Sequence, residues 1–228
     1  MMEAVIFDFN GTLFYDTDKH MIAWKRYLET FHNYTPTEWD FKNILIGSTN
    51  THILKSLVDE NITPEEVVAA VECKENFYFE ACLEDPGSLY LTPGASELFD
   101  LLTERHIPIM IATGSARQNM DFYFKHLPLG KWFSFDNVIY DDYSRRGKPF
   151  PDIYLDSAKL LGVSIDKCVV FEDSLPGYRS ALEAGVGAMI MVEKRGDFEK
   201  FLKLEGVTAV VEDLRDPEGL LRMAGLTN

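Results

Sequence analysis

The chain has 228 residues, of which 46% are hydrophobic, and a formal charge of −15. That length and composition allow one or two domains with a real core. The charge argues against nucleic acid, whose phosphates demand a basic face, and against an anionic membrane surface. A divalent cation and one lysine can still invert the local field for a small phosphorylated ligand. Cys73, Cys82 and Cys168 show no paired-ligand spacing, so reduced thiols are expected. No leader and no apolar run long enough to span a bilayer is read, and the expectation is a soluble, cytoplasmic, monomeric protein.

Ala4-Val5-Ile6-Phe7 reads as a buried strand that runs into Asp8-Phe9-Asn10-Gly11-Thr12. Residues 15–87 then read as an inserted all-helical cap domain. In it Met21, Trp24, Leu28 and Phe31 follow the spacing of one helix face. Thr35-Pro36-Thr37-Glu38 and Thr63-Pro64-Glu65-Glu66 each predict a capping box with proline at the first helical position. The cap aromatics Trp24, Tyr27, Trp39, Phe77, Tyr78 and Phe79 are expected to be mostly core. Asp85-Pro86-Gly87 and Thr92-Pro93-Gly94 mark the return to the first domain, which comprises residues 1–14 and 88–228.

From there short apolar runs alternate with amphipathic helical stretches: Ile107–Ala112, Asn137–Tyr140, Lys167–Phe171, Ala188–Val192 and Thr208–Val211. The pattern predicts an α/β fold, a Rossmann-like parallel sheet covered by helices on both faces. Ligands of such sheets sit beyond the carboxyl ends of the strands. Four segments fall there or in a nearby loop: Asp8–Thr12, Thr113-Gly114-Ser115, Gly147-Lys148-Pro149 and Glu172-Asp173-Ser174.

Each segment offers one part of a phosphoryl-transfer chemistry. Asp8 ends a buried strand, so its carboxylate must face a cation, a metal or amides; as a function it is a nucleophile and metal ligand. Glu172 and Asp173 supply hard oxygens of the kind that suits Mg²⁺, and no histidine or cysteine stands beside them to favour zinc. Thr113, Gly114 and Ser115 combine hydroxyls with amides at an expected helix start near Ala116, which makes an anion site. Lys148, held between Gly147 and Pro149, would neutralise a transferring phosphoryl group. Arg145 and Arg146 are expected to be surface charges.

In order and in kind, Asp8-Phe9-Asn10-Gly11-Thr12-Leu13, Ala112-Thr113-Gly114-Ser115, Gly147–Tyr154 and Phe171-Glu172-Asp173-Ser174 with Gly177, Ala181, Ala184 and Gly185 resemble the haloacid-dehalogenase-like superfamily. The chain is similar to members with a helical cap after the first motif, the β-phosphoglucomutase and phosphoglycolate-phosphatase group, over nearly its whole length. The resemblance implies a Mg²⁺-dependent hydrolase of a small phosphorylated metabolite, with Asp8 phosphorylated in line. It also implies that Asp8, the backbone carbonyl of Asn10 and Asp173 bind the ion, with Glu172 reaching it directly or through water.

His20 and Lys74 fall at positions resembling cap residues that align active-site groups in the mutase branch. In Ile46-Gly47-Ser48-Thr49-Asn50 the mutases carry a basic residue that grips a second phosphate; here Thr49 and Asn50 are neutral, which counts against a mutase. The larger departure is Asn10. Hydrolases of the family carry an aspartate there that protonates the leaving alcohol and then activates water, and an amide does neither. That acid–base help is worth roughly a hundred- to ten-thousand-fold in rate. Three explanations stand: a branch whose leaving groups need no acid or that borrows another residue such as His20, a deliberately disabled sequence, or a phosphometabolite-binding sensor. The phosphonate-cleaving branch uses a cap lysine that has no clear match here, and the metal-free dehalogenases are disfavoured by Glu172-Asp173.

Overall fold

The computed structural model describes residues 1–226 except Gly47, Tyr143, Arg195 and Asp197, so Gly47 of the segment quoted above lies outside the described residues. The chain divides into two compact units, Met1–Tyr15 with Tyr90–Asn228, and Asp16–Leu89.

The first unit opens with β1 (Ala4–Phe7), four fully buried residues. The helical unit follows, with α1 (Thr17–His32), a short α2 (Glu38–Asp40) that continues as a π-helical turn (Phe41–Leu45), α3 (Asn50–Leu57) and α4 (Pro64–Glu84). The buried face of α1 is Ala23, Trp24, Tyr27 and Leu28; Phe31, expected on that face, is 55% exposed. The apolar seam drifts to Tyr27 because 3.6 residues per turn carries the stripe around the helix. Trp24, Tyr27 and Leu28 pack with Leu45, Ile53, Leu54 and Ala70, and Trp39 stands outside this core, largely exposed. The capping box at Thr63 and Glu66 forms as the spacing predicts. The other forms two residues later than expected: Asp40 takes the backbone N–H and the hydroxyl of Thr37, and Thr35 donates to Glu29.

In the first unit, α5 (Ala95–Glu104), β2 (Ile109–Ala116), α6 (Arg117–His126), β3 (Val138–Asp141) and α7 (Asp152–Leu161) precede β4 (Cys168–Glu172). Then come α8 (Leu175–Ala184), β5 (Ala188–Val192), α9 (Phe198–Leu202), β6 (Ala209–Val211) and α10 (Pro217–Met223). All six strands are parallel in the order β3-β2-β1-β4-β5-β6. Alternate residues Ala4, Ile6, Met110, Ala112, Val170, Met189 and Met191 line one face against Ile153, Tyr154 and Ala158 of α7 and Ala181 of α8. On the other face Phe7 meets Phe99 of α5 edge-on at 5.2 Å. Each such fully buried Ile, Val or Phe contributes about 1.5–3 kcal/mol.

The strand order reverses between β1 and β4, and the register pairs Phe7 with Phe171. The residues that follow, Asp8 and Glu172, therefore emerge side by side at the switch point, where α/β sheets bind ligands. Among the described residues no helix is long and apolar enough to cross a membrane.

Candidate active site

Asp8 is held at the carboxyl end of the inner strand β1 by its own N–H, which donates to Phe171 O at 2.9 Å. The next six residues fold back at once: Gly11 N donates to Phe14 O at 2.7 Å, and Leu13 N to Phe9 O at 2.8 Å. Gly11 turns the chain with φ of 87°. A Cβ at Gly11 would also strike the Asp173 carboxylate, so glycine is required twice over.

Lys148 joins the two carboxylates. Its Nζ donates to Asp8 Oδ1 at 2.6 Å, to Glu172 Oε1 at 2.6 Å and to Ala112 O at 3.3 Å, which uses all three ammonium protons. Glu172 is completely buried. It also accepts from Tyr154 OH at 2.9 Å, Asp173 N at 2.9 Å, and Ser174 N and Oγ at 3.0 Å. Gly177 leaves room for that carboxylate, where a Cβ would collide with it. Asp8 Oδ2 and Thr12 Oγ1 are the buried side-chain polar atoms without a hydrogen-bond partner among the described residues.

This asymmetry sets the ionisation. Burial pushes the Asp8 carboxyl up to about 7, against the pull of Lys148. Burial also opposes charge on Glu172, but Lys148, Ser174 and Tyr154 outweigh it and hold that carboxyl below its ordinary value. Burial would lower Lys148, yet Asp8 and Glu172 raise it well above the usual lysine range. Both acids share one lysine; among the described residues Glu172 has further donors and Asp8 Oδ2 has none, so Asp8 is the carboxyl whose ionisation burial pushes up.

The donor set fits a hard divalent cation. One oxygen each from Asp8, Glu172 and Asp173 lies within 4.8 Å of the others. Three carboxylates against one ammonium leave a formal charge of −2 when all are ionised, and Asp8 Oδ2 is a buried oxygen awaiting a partner. Glu172 fits least well as a direct ligand, because five donors already occupy its two oxygens.

Asn10 turns its side chain toward β2 and α6. Its Oδ1 accepts from Ser115 Oγ at 2.7 Å and Thr113 Oγ1 at 3.3 Å, and its Nδ2 donates to Tyr123 OH at 2.8 Å. Thr113, Gly114 and Ser115 lie, as expected, where β2 meets a helix: β2 runs through them to Ala116 with a register shift, and α6 begins at Arg117. The Ser115 N–H donates to Thr113 Oγ1 at 3.1 Å, so this one amide is already engaged within the segment.

His20 and Lys74 lie together in the helical unit. Lys74 Nζ donates to His20 Nδ1 at 2.7 Å and to Glu75 Oε1 at 2.7 Å. The other ring nitrogen, Nε2, faces Asp16 Oδ2 at 3.3 Å. Tyr78 donates to the same Asp16 oxygen at 2.6 Å and stacks on the imidazole. Both nitrogens of His20 are thus engaged within its own unit.

Three contributors escaped the sequence reading: Tyr154, Tyr123 and the Ala112 carbonyl. Tyr154 stands in the Gly147–Tyr154 motif, but a ring on a helix reads as packing. Nothing local announces that its hydroxyl meets Glu172.

With this geometry in hand, the comparisons with known proteins are direct. Residues 2–185 match the haloacid dehalogenase-like hydrolases, and the chain belongs to that family. It is 28% identical over 225 residues to a phosphorylated carbohydrates phosphatase of Thermotoga maritima, covering 97% of this chain and 98% of the relative. It is 27% identical to the β-phosphoglucomutase of Bacillus subtilis, covering 82% of each. The crystal structure of a HAD hydrolase, family IA, variant 3, from Entamoeba histolytica superposes with a TM-score of 0.90 at 35% identity, covering 98% of this chain and all (100%) of that one.

Proposed function

We propose that this protein hydrolyses the phosphate ester of a small phosphorylated metabolite through an aspartyl-phosphate at Asp8, with Mg²⁺ as cofactor. The observation that carries the reading is Asp8 itself: Oδ1 is fixed by Lys148 while Oδ2 is buried and has no hydrogen-bond partner among the described residues. One carboxylate oxygen of Asp8 attacks phosphorus while the other would face the ion. The P–O bond to the leaving alcohol breaks as the acyl-phosphate bond forms, which divides one hard step into two. Water then attacks the phosphoaspartate and releases inorganic phosphate.

The chain's own residues set the stage for both steps. Lys148 orients Asp8 and offers positive charge beside the transferring group. Thr113, Gly114 and Ser115 are the groups assigned to the phosphate oxygens, with the two hydroxyls turning away from Asn10 when an anion enters. Asp8, Asp173 and the backbone carbonyl of Asn10 would hold the ion, and Glu172 would hold Lys148 and the Asp173 main chain in place. The bound ion supplies charge neutralisation between the phosphate and the carboxylate nucleophile.

Asn10 has no proton to give the leaving group, so substrates with good leaving groups are favoured. A second reading, a phosphometabolite binder with little turnover, is favoured by one observation: both ends of the Asn10 amide are engaged. A β-phosphoglucomutase-type reaction is the third, and the neutral Thr49 and Asn50 weigh against it.

A metabolite screen with Mg²⁺, following free phosphate and the intact mass of the protein, tests these readings together. Phosphate release with a phosphoryl adduct on Asp8 is expected. Binding without either would overturn hydrolysis in favour of the sensor. Isomerised sugar phosphate, made only with a bisphosphate activator, would establish the mutase.

A further inference from the structure

Lys148 has to be placed to within a fraction of an ångström, yet it sits on irregular chain between β3 and α7. Such segments are ordinarily the mobile part of a fold, and a lysine stem adds its own rotamer entropy. Two side chains outside the carboxylate cluster tie this segment down from opposite ends.

On the approach to Lys148 stands Arg145, whose side chain is 18% exposed rather than free on the surface. Its Nη1 donates to Tyr140 O at 2.7 Å, at the end of β3. Its Nε donates to Asp156 Oδ2 of α7 at 3.3 Å, and Asp142 lies 3.5 Å from the guanidinium. One rigid fork thus joins a strand end, the loop and the helix that follows it. Beyond Lys148, Ser180 of α8, fully buried, donates through Oγ to Phe150 O at 2.6 Å. Between the two anchors, Phe150 N donates to Gly147 O at 3.1 Å and closes a turn around Lys148. Arg146 also reaches this stretch, forking onto Asp152 at 2.8 and 3.1 Å and lying over the Phe150 ring at 4.4 Å, but its side chain is 60% exposed, so solvent screens these contacts more than those of Arg145.

We propose that Arg145 and Ser180 are positioning residues that clamp the two arms of the loop and so hold the Lys148 ammonium between Asp8 and Glu172. The proposal deepens the phosphoryl-transfer reading and rests on it for its functional consequence. The placement of Lys148 can be tested without any turnover.

The test is brief acetylation of the intact protein with acetic anhydride, read by peptide mass spectrometry. Lys203, on an exposed pair, is the internal reference. In Arg145→Ala and in Ser180→Ala, labelling of Lys148 relative to Lys203 should rise about tenfold as the loop opens locally. Arg145→Lys, which keeps the charge and loses the fork, should recover part of the protection. Arg146→Ala, which removes the more exposed contacts, should raise the labelling of Lys148 clearly less. Phosphate-ester turnover in the two clamp variants should fall in kcat with KM nearly constant. Unaltered labelling of Lys148 in folded Arg145→Ala and Ser180→Ala would overturn the clamp, as would equal exposure in Arg146→Ala. Raised labelling with undiminished kcat would uphold the clamp and overturn the catalytic assignment of Lys148.

Discussion

The side-chain amide of Asn10 donates to the hydroxyl of Tyr123 at 2.8 Å, and Tyr123 is fully buried with its ring stacked on Phe9 at 4.5 Å. An amide suits this partner as donor and suits Ser115 and Thr113 as acceptor, so both ends of the group are used. Asn10 is therefore a structured part of the site, and its chemistry follows from that setting.

One consequence concerns the Asn10-Gly11 step. Deamidation requires the Gly11 nitrogen to attack the Asn10 side-chain carbonyl carbon. Here that N–H is given to Phe14 O at 2.7 Å, and the amide is pinned by its three partners. The folded protein is expected to keep Asn10 through prolonged incubation at mildly alkaline pH, whereas the urea-unfolded chain converts. Peptide mapping of both samples checks this; equal conversion would show that the pinning does not persist in solution.

Gly11→Ala carries two penalties. The left-handed conformation costs an L-residue roughly 1–2 kcal/mol, and the new methyl group meets the Asp173 carboxylate. Urea unfolding should register at least the backbone penalty. A Mg²⁺ titration should show weakened binding as Asp173 is driven off its position. Wild-type Mg²⁺ affinity in this variant would remove Asp173 from the ion's ligands.

The proton on Asp8 gives a pH signature in chelator. Its carboxyl rises from an ordinary 3.8 to about 7 on folding, chiefly by burial. The folded state then binds this proton more tightly than the unfolded chain. As pH climbs from about 4 to about 7 the unfolded chain releases it first, so stability from this group declines, and above about 7 the loss is complete. Asp8→Asn has no such proton to lose. The melting temperature of the variant relative to the parent should therefore increase between about pH 5 and about pH 8. A difference that stays flat across that range would mean that Asp8 ionises like an exposed aspartate.

What the sequence disclosed and what it withheld follow the range of the interactions. The five consecutive apolar residues Ala188–Val192 form β5 to the residue, and the Thr63–Glu66 box closes across one helical turn. Thr35 and Thr37 both begin a threonine-x-x-acid pattern. Tyr34, which donates to Asp40 at 2.6 Å, favours the second, and no local spacing reveals that. Thr113-Gly114-Ser115 is legible as a strand-to-helix junction; that β2 carries on through it to pair Ala116 with Asp141 is not. The motif order names Asp8, Lys148 and Glu172, but their division of labour depends on contacts between residues far apart in the chain. Tyr154 on Glu172 and Tyr123 on Asn10 are such contacts.

The last prediction separates the two half-reactions proposed for Asp8. Acyl or nitrophenyl phosphates release leaving groups that need little protonation, so they should phosphorylate Asp8 even with an amide at position 10. Discharge of the phosphoaspartate requires water to lose a proton, and the Asn10 amide, which has no basic site near neutral pH, cannot take it. The phosphoenzyme should accumulate, and rapid-mixing kinetics should show a burst of product followed by a slow steady rate. Asn10→Asp places a carboxylate among the same three hydroxyls, and Tyr123 can reverse its role from acceptor to donor. The burst should vanish and turnover rise by roughly two to four orders of magnitude, the worth of a positioned acid–base. No gain on any phosphate ester would mean that another group already moves the proton, or that hydrolysis is not the reaction this site performs.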